Sequence, residues 1–106
     1  MPEDRPHLFS LQGKVGIVMG ASRGIGRATS IRLAEAGATL VLAARGPDDL
    51  QVLGNEITSL GQHCLTMPTD ITRPEQQHRL VEETVNRFEK IDFLVNMPAS
   101  VGAVGE

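Results

Sequence analysis

Tyrosine and tryptophan are missing from all 106 residues, so no phenol is available to protonate a reacting group. The single cysteine, Cys64, excludes an internal disulfide. It sits in an apolar stretch and reads as a small buried hydrophobe rather than a reactive thiol. No apolar run approaches the roughly 18 residues that a bilayer span needs. Residues 1–10, with Pro2, Pro6 and mixed charges, lack the apolar core of a signal peptide, so no membrane partner is expected and the cytoplasm is the expected compartment. A net charge of −3 leaves no basic surplus, which argues against nucleic-acid binding by bulk electrostatics. His7, His63 and His78 stand apart, without Cys or carboxylate partners at metal-ligand spacing, and no zinc site is expected. Ser22, Ser30, Ser59 and Ser100 lack a nucleophile-elbow context, so a hydrolase triad has no support.

What is present is a regular alternation of two patterns. Short apolar runs end in glycine, proline or a polar residue, and each is followed by a longer segment with helical spacing. The strands are expected at Val15 to Met19, Thr39 to Ala44, His63 to Met67 and Ile91 to Asn96. The first helix is expected from about Gly24 to Ala36, with Ile25, Ala28, Thr29, Leu33 and Ala36 as its apolar face and Gly37 as a left-handed cap. Gly46-Pro47 opens the second helix, whose stripe is Leu50, Leu53, Ile57 and Leu60 and whose first turn carries Asp48 and Asp49. Thr72-Arg73-Pro74-Glu75 has the form of a capping box, and the third helix follows, with Gln77, Leu80, Val81, Thr84, Val85 and Phe88 on one side. Strands alternating with helices of this length form βαβ units, giving an α/β, Rossmann-type three-layer fold. Its partial parallel sheet has about four strands in order 3-2-1-4. Residues 1–10 read as a loose arm that Leu8 and Phe9 could anchor, 11–98 as a dinucleotide-binding half-Rossmann domain, and 99–106 as a glycine-rich tail.

The turn after the first strand carries the chemistry. Gly20, Gly24 and Gly26 fall between a strand and a helix N-terminus, where a sharp turn and close backbone approach suit a diphosphate. The N–H groups of the first helical turn and the positive end of its dipole face such an anion. A Walker-type phosphate loop is excluded, because Gly26 is followed by Arg27-Ala28 rather than Lys-Ser/Thr. An Asp or Glu about 20 residues on would accept from the ribose hydroxyls of NAD, but that place reads Ala43-Ala44-Arg45. With Arg23 in the glycine turn, two guanidinium groups could converge on a 2′-phosphate; otherwise Arg45 is a solvated residue before a helix.

From Gly20 onward the chain resembles the short-chain dehydrogenase/reductase family, whose Thr-Gly-x-x-x-Gly-x-Gly motif it matches except that Met19 takes the threonine's place. The resemblance covers about residues 11 to 98. It implies cofactor contacts at Gly20, Ser22, Arg23, Gly24, Ile25 and Gly26, and a preference for NADP(H) over NAD(H) in members with arginines where Arg23 and Arg45 stand. It also implies that Asp70 and the Ile71 N–H contact adenine, although an Asx turn before the third helix also explains Asp70. Asn96 matches the first residue of the family's Asn-Asn-Ala-Gly, which here runs Asn96-Met97-Pro98-Ala99. The family's catalytic Ser and Tyr-x-x-x-Lys find no counterpart in these residues.

The expected role is therefore the NADP(H)-binding portion of an oxidoreductase that interconverts carbonyls and alcohols by hydride transfer, without turnover in these 106 residues alone. The alternative is a non-catalytic, truncated nucleotide-binding or interaction module. In either case the fourth strand would be an exposed sheet edge prone to self-association.

Overall fold

The computed structural model describes residues 10–97. The loose arm, the glycine-rich tail, and Pro98 and Ala99 of the Asn-Met-Pro-Ala run lie outside the described residues. Seven elements alternate along the chain: β1 (Val15–Met19), α1 (Gly24–Glu35), β2 (Thr39–Ala44), α2 (Pro47–Ser59), β3 (Cys64–Pro68), α3 (Pro74–Phe88) and β4 (Phe93–Asn96). The strands form one parallel sheet in the order β3-β2-β1-β4.

Register and side-chain alternation sort the apolar residues into two layers. Val18, Leu40, Leu42 and Ala44 point to the side covered by α1 and α2, where they pack with Ala34, Leu50, Leu53 and Ile57. Ile17, Met19, Val41 and Ala43 point to the other side, where Met67 and Leu80 close over them. Because β1 and β2 are covered on both faces, nearly every residue in them is apolar, as expected of parallel strands. The chain leaves β1 toward β2 and β3, then crosses by α3 to β4 on the other side of β1. The carboxyl ends of β1 and β4 thus bracket the point where the strand order reverses, the usual ligand crevice of open α/β sheets.

Several expected details are corrected. Ile25 is 74% exposed and Ala28 is also at the surface, while α1 buries Gly26, Ser30 and Ala34. The fully buried positions of this helix are all small, and its larger Ile31 and Leu33 pack partly buried against the same core. The buried Ser30 hydroxyl is satisfied by donating to the Gly26 carbonyl at 2.8 Å. Leu60 caps α2 at its C-terminus and is 45% exposed rather than part of the stripe. Of the expected face of α3, Leu80 and Thr84 are buried and Phe88 packs at the margin, but Gln77, Val81 and Val85 are exposed. Arg79 and Glu83 border a groove beside β3, which turns Val81 and Val85 away from that strand.

Two strands shift by a residue or two. β3 runs from Cys64 to Pro68 instead of His63 to Met67, since an edge strand tolerates a proline that pairs with Ala44. β4 starts at Phe93 because Ile91 packs into the α3-side core and Asp92 is held at the foot of β1. There the Asp92 carboxylate accepts from the Val15 N–H at 2.8 Å, and Lys90 pairs with it at 3.1 Å. Those bonds, the Val15 one foremost, hold the Asp92 carboxyl below its usual range.

β4 approaches β1 closely because Gly16 has no side chain. A Cβ there would lie 2.1 Å from the Phe93 ring. Gly16→Ala is therefore expected to displace that ring and destabilise the fold by ~1–3 kcal/mol, the usual cost of overpacking. Combining it with Phe93→Leu should recover a substantial part of the loss, as measured by denaturant unfolding in a double-mutant cycle. Strict additivity of the two changes would contradict this packing.

Candidate functional site

The turn between β1 and α1 departs from the sheet through Gly20, whose φ of 80° is left-handed, and Gly24 at 55° is left-handed as well. A Cβ on Gly20 would meet the Met97 carbonyl oxygen at 2.2 Å, and one on Gly26 would meet the Gly20 carbonyl oxygen at 2.0 Å. Both obstacles are backbone, so they cannot swing aside as a side chain could. The turn is tied to β2 by one carbonyl: the Gly20 and Ala21 N–H groups donate to the Ala43 oxygen at 2.8 and 3.2 Å.

Beyond those two bonds the amides change role. Arg23 is the N-cap of α1, in extended conformation, and no side chain caps the helix. The first donor into the helix is the Arg27 N–H, which reaches the Arg23 carbonyl at 3.2 Å. Among the described residues, the N–H groups of Ser22, Arg23, Gly24, Ile25 and Gly26 donate to nothing. Five consecutive unengaged donors at the positive end of a helix dipole form an anion cradle.

An open cleft of about 560 Å³ lies beside this cradle. Gly20, Ser22 and Arg23 line it from the glycine turn, Ala44, Arg45 and Gly46 from the end of β2, and Thr69 and Ile71 from the end of β3. The structure thus brings Arg23 and Arg45 to one cleft, with Ala44 where a ribose-binding carboxylate would stand. Thr69 was not singled out from the sequence. Its N–H donates to Ala44 at 2.8 Å and its buried hydroxyl to Met67 at 2.8 Å, which fixes the end of β3 against β2. Asn96 ends β4 opposite Met19, is exposed, and does not line this cleft.

Acidic residues temper the positive rim. Arg23 approaches Asp49 of α2 at 3.8 Å, and Arg27 pairs with Glu56, so α1 and α2 are linked by two ion pairs. Asp70 sits beside the cleft and does not act as a bystander to a capping box. Arg73, not Thr72, is the N-cap of α3, and no side chain caps it. The Thr72 hydroxyl donates instead to the Asp70 carboxylate at 2.6 Å, and the Thr72 N–H to the same oxygen at 3.0 Å. With Arg73 at the N-cap, Thr72 stands one residue before the helix start, so its N–H and hydroxyl close an Asx-type turn on Asp70 and the box does not form. The hydroxyl bond foremost, then the N–H bond, with Arg45 and Arg73 assisting, hold the Asp70 carboxyl below its usual range. Burial pushes the Cys64 thiol up, consistent with an inert role in packing.

Among the described residues, no three His, Cys, Asp or Glu side chains come together to hold a metal ion. Likewise, no helix among them is long and apolar enough to cross a membrane.

Comparison with known proteins agrees with this geometry. The short chain dehydrogenase family model matches residues 14–104. An uncharacterized oxidoreductase of Listeria innocua is 42% identical over 86 residues, covering 81% of this chain and 35% of the relative. A short-chain type dehydrogenase/reductase from Mycobacterium marinum superposes with a TM-score of 0.79 at 38% identity, over 83% of this chain and 36% of that one. A 7α-hydroxysteroid dehydrogenase complexed with NADH superposes with a TM-score of 0.80 at 33% identity, over 82% of this chain and 34% of the other. The chain spans about a third of the length of these relatives.

The Asp70 turn has a defined pH dependence. Its carboxyl titrates from a lowered value, so the turn's contribution to stability is fully present above the ordinary aspartate pKa. That contribution is lost only as pH falls through the lowered, folded-state value. Thr72→Val removes the hydroxyl bond and should move the Asp70 titration upward, as followed by carboxyl-carbon NMR. A titration unchanged by the substitution would contradict the assignment.

Proposed function

The chain belongs to the short-chain dehydrogenase family, and on that footing we propose that residues 11–98 bind the adenosine diphosphate end of a nicotinamide dinucleotide, NADP(H) in preference to NAD(H). The observation that carries this reading is the run of five unengaged amides from Ser22 to Gly26 at the mouth of the cleft. The diphosphate rests on those amides, in the space left by the missing side chains of Gly20 and Gly26. The ribose lies toward Ala44, and the adenine between Arg45 and the Asp70-Ile71 turn. By the family resemblance, Asn96 belongs to the segment that shapes the floor under the adenosine and ribose.

Arg23 and Arg45 set the cofactor preference. A 2′-phosphate adds up to two negative charges, and a charge-assisted hydrogen bond contributes about 1.5–3 kcal/mol when it is not fully solvated. One such contact supplies about tenfold discrimination, since ~1.4 kcal/mol is a factor of ten. The 7α-hydroxysteroid dehydrogenase to which the chain is similar was solved with NADH. The preference proposed here rests on this chain's own arginines and on Ala44, not on that relative. When bound, the dinucleotide supplies the hydride donor or acceptor for interconverting a carbonyl and an alcohol. The described residues bind and orient it, and they offer no tyrosine to protonate a substrate oxygen. Cytoplasmic residence and lack of turnover by the 106-residue chain alone belong to the same proposal.

Association through the sheet edge is the second part of the reading. Leu94 is 52% exposed on β4, on the same face as Val81 and Val85, which are 42% and 43% exposed. An apolar edge strand of this kind invites pairing with another chain. Sedimentation at several concentrations should show mass increasing with concentration, and Leu94→Lys should suppress the increase. A monomer at every concentration would contradict it.

Calorimetric titration with 2′,5′-ADP and 5′-AMP tests the cofactor preference without the nicotinamide. 2′,5′-ADP should bind about tenfold tighter at low salt, with the margin shrinking as ionic strength rises. Ala44→Asp with Arg45→Ala should abolish the margin. Asp49→Asn should widen it by up to about fivefold, because it frees Arg23 from an exposed ion pair typically contributing ~0.2–1 kcal/mol. Equal binding of the two nucleotides by the unaltered chain would refute the NADP(H) assignment.

A further inference from the structure

The segment from Thr69 to Arg73 contains five consecutive backbone N–H groups, and four of them are engaged. Thr69 donates to the Ala44 carbonyl at 2.8 Å, Asp70 to Gln76 Oε1 at 2.7 Å, Thr72 to the Asp70 carboxylate at 3.0 Å, and Arg73 to the Asp70 carbonyl at 3.1 Å. Among the described residues, only the Ile71 N–H of this segment has no acceptor, and Ile71 lines the cleft.

Two adjacent side chains from the first turn of α3 fix the geometry around that donor. Gln76 accepts from the Asp70 N–H, and Gln77 Nε2 donates to the Ile71 carbonyl. These bonds pin the peptide planes on either side of the Asp70–Ile71 peptide. The carbonyl of the peptide between them is held by the Arg73 N–H. In a planar trans peptide the C=O and N–H point in opposite directions. With its carbonyl turned toward the start of α3, the Asp70–Ile71 peptide must present its N–H away from that helix.

Resting on the dinucleotide reading above, we propose that Gln76 and Gln77 are positioning residues for base selection. An adenine contact at the Ile71 N–H is what the family resemblance already implies; the two glutamines hold that N–H as a fixed donor for the unprotonated ring N1 of adenine. Hypoxanthine carries a proton on N1 at neutral pH and would set donor against donor. The glutamines touch the turn and not the base; their influence passes through the peptide plane.

The test is calorimetric titration of the full chain with 5′-AMP and 5′-IMP, with 2′,5′-ADP as reference. The unaltered chain should prefer 5′-AMP over 5′-IMP by about tenfold, equivalent to ~1.4 kcal/mol. Gln76→Met with Gln77→Glu removes the acceptor and the donor, and should bring the two nucleotides to within about twofold. The ratio of 2′,5′-ADP to 5′-AMP should stay unchanged, because Arg23 and Arg45 are untouched. Gln77→Lys alone retains a donor for the Ile71 carbonyl and should keep the base preference that Gln77→Leu reduces. That pair of single variants reads the effect even if the double variant fails to fold. An AMP-to-IMP ratio undiminished in Gln77→Leu would overturn the inference. So would a chain that prefers 2′,5′-ADP to 5′-AMP yet binds 5′-AMP and 5′-IMP equally, and that result would leave the cofactor reading standing. A chain that binds none of the three would overturn both.

Discussion

The Gly20 carbonyl and the Gly26 Cα lie so close that a single methyl group on Gly26 would come within 2.0 Å of the oxygen. This backbone-to-backbone contact folds the turn after β1 back against the first turn of α1. It lets the helix settle on the sheet over Gly26, Ser30 and Ala34, and it leaves five amides at the helix start without internal partners. A helix N-terminus without a capping side chain is unfavourable in isolation. Here it lies at the cleft lined by Gly20, Ala44, Arg45 and Ile71, at the ends of β1, β2 and β3. The same feature that tightens the packing thus leaves the amides on which the proposed site rests.

Charge around the cleft is arranged in opposed pairs rather than as a uniform positive field. Arg23 faces Asp49, Arg27 pairs with Glu56, and Arg73 lies 3.6 Å from Asp70. Exposed pairs of this kind contribute little to stability. In the proposed reading, Asp49 competes with the cofactor's 2′-phosphate for Arg23. On the far side of the cleft the β3–α3 turn is held by Thr72, Gln76 and Gln77.

The sheet was largely legible from the chain because strands buried on both faces must be apolar throughout. Val15 to Met19 and Thr39 to Ala44 are bounded by glycine or polar residues that leave little freedom in placing them. The glycine spacing likewise marked the sharp turn between β1 and α1, where Gly20 and Gly24 take left-handed φ. Helix faces were less legible, for a physical reason: apolar periodicity assumes that large residues go inside, whereas on α1 small residues take the fully buried positions and Ile31 and Leu33 pack at the margin. Ile25 and Ala28 were accordingly misplaced, and Gly26, Ser30 and Ala34 form the buried stripe. Thr72 and Glu75 have the spacing of a capping box, but the helix starts one residue later, with Arg73 at the N-cap, and Thr72 turns to Asp70 instead. The left-handed Glu89 that ends α3, at φ 71°, carries no local signal, since glycine or asparagine would be expected there. Gln76 and Gln77 look like surface residues in the sequence. Their bonds to the preceding turn become visible only when the helix start and the turn are placed together.

The central claim is that the amides from Ser22 to Gly26 receive a diphosphate. Amide chemical-shift mapping during titration with ADP addresses it directly, since it reads those N–H groups one by one and requires neither substrate nor turnover. The largest shifts are expected at Ser22, Gly24, Ile25 and Gly26, saturating together with a single dissociation constant, and Gly26→Val should abolish them. Shifts confined to other parts of the surface, or an unchanged response in Gly26→Val, would contradict the account.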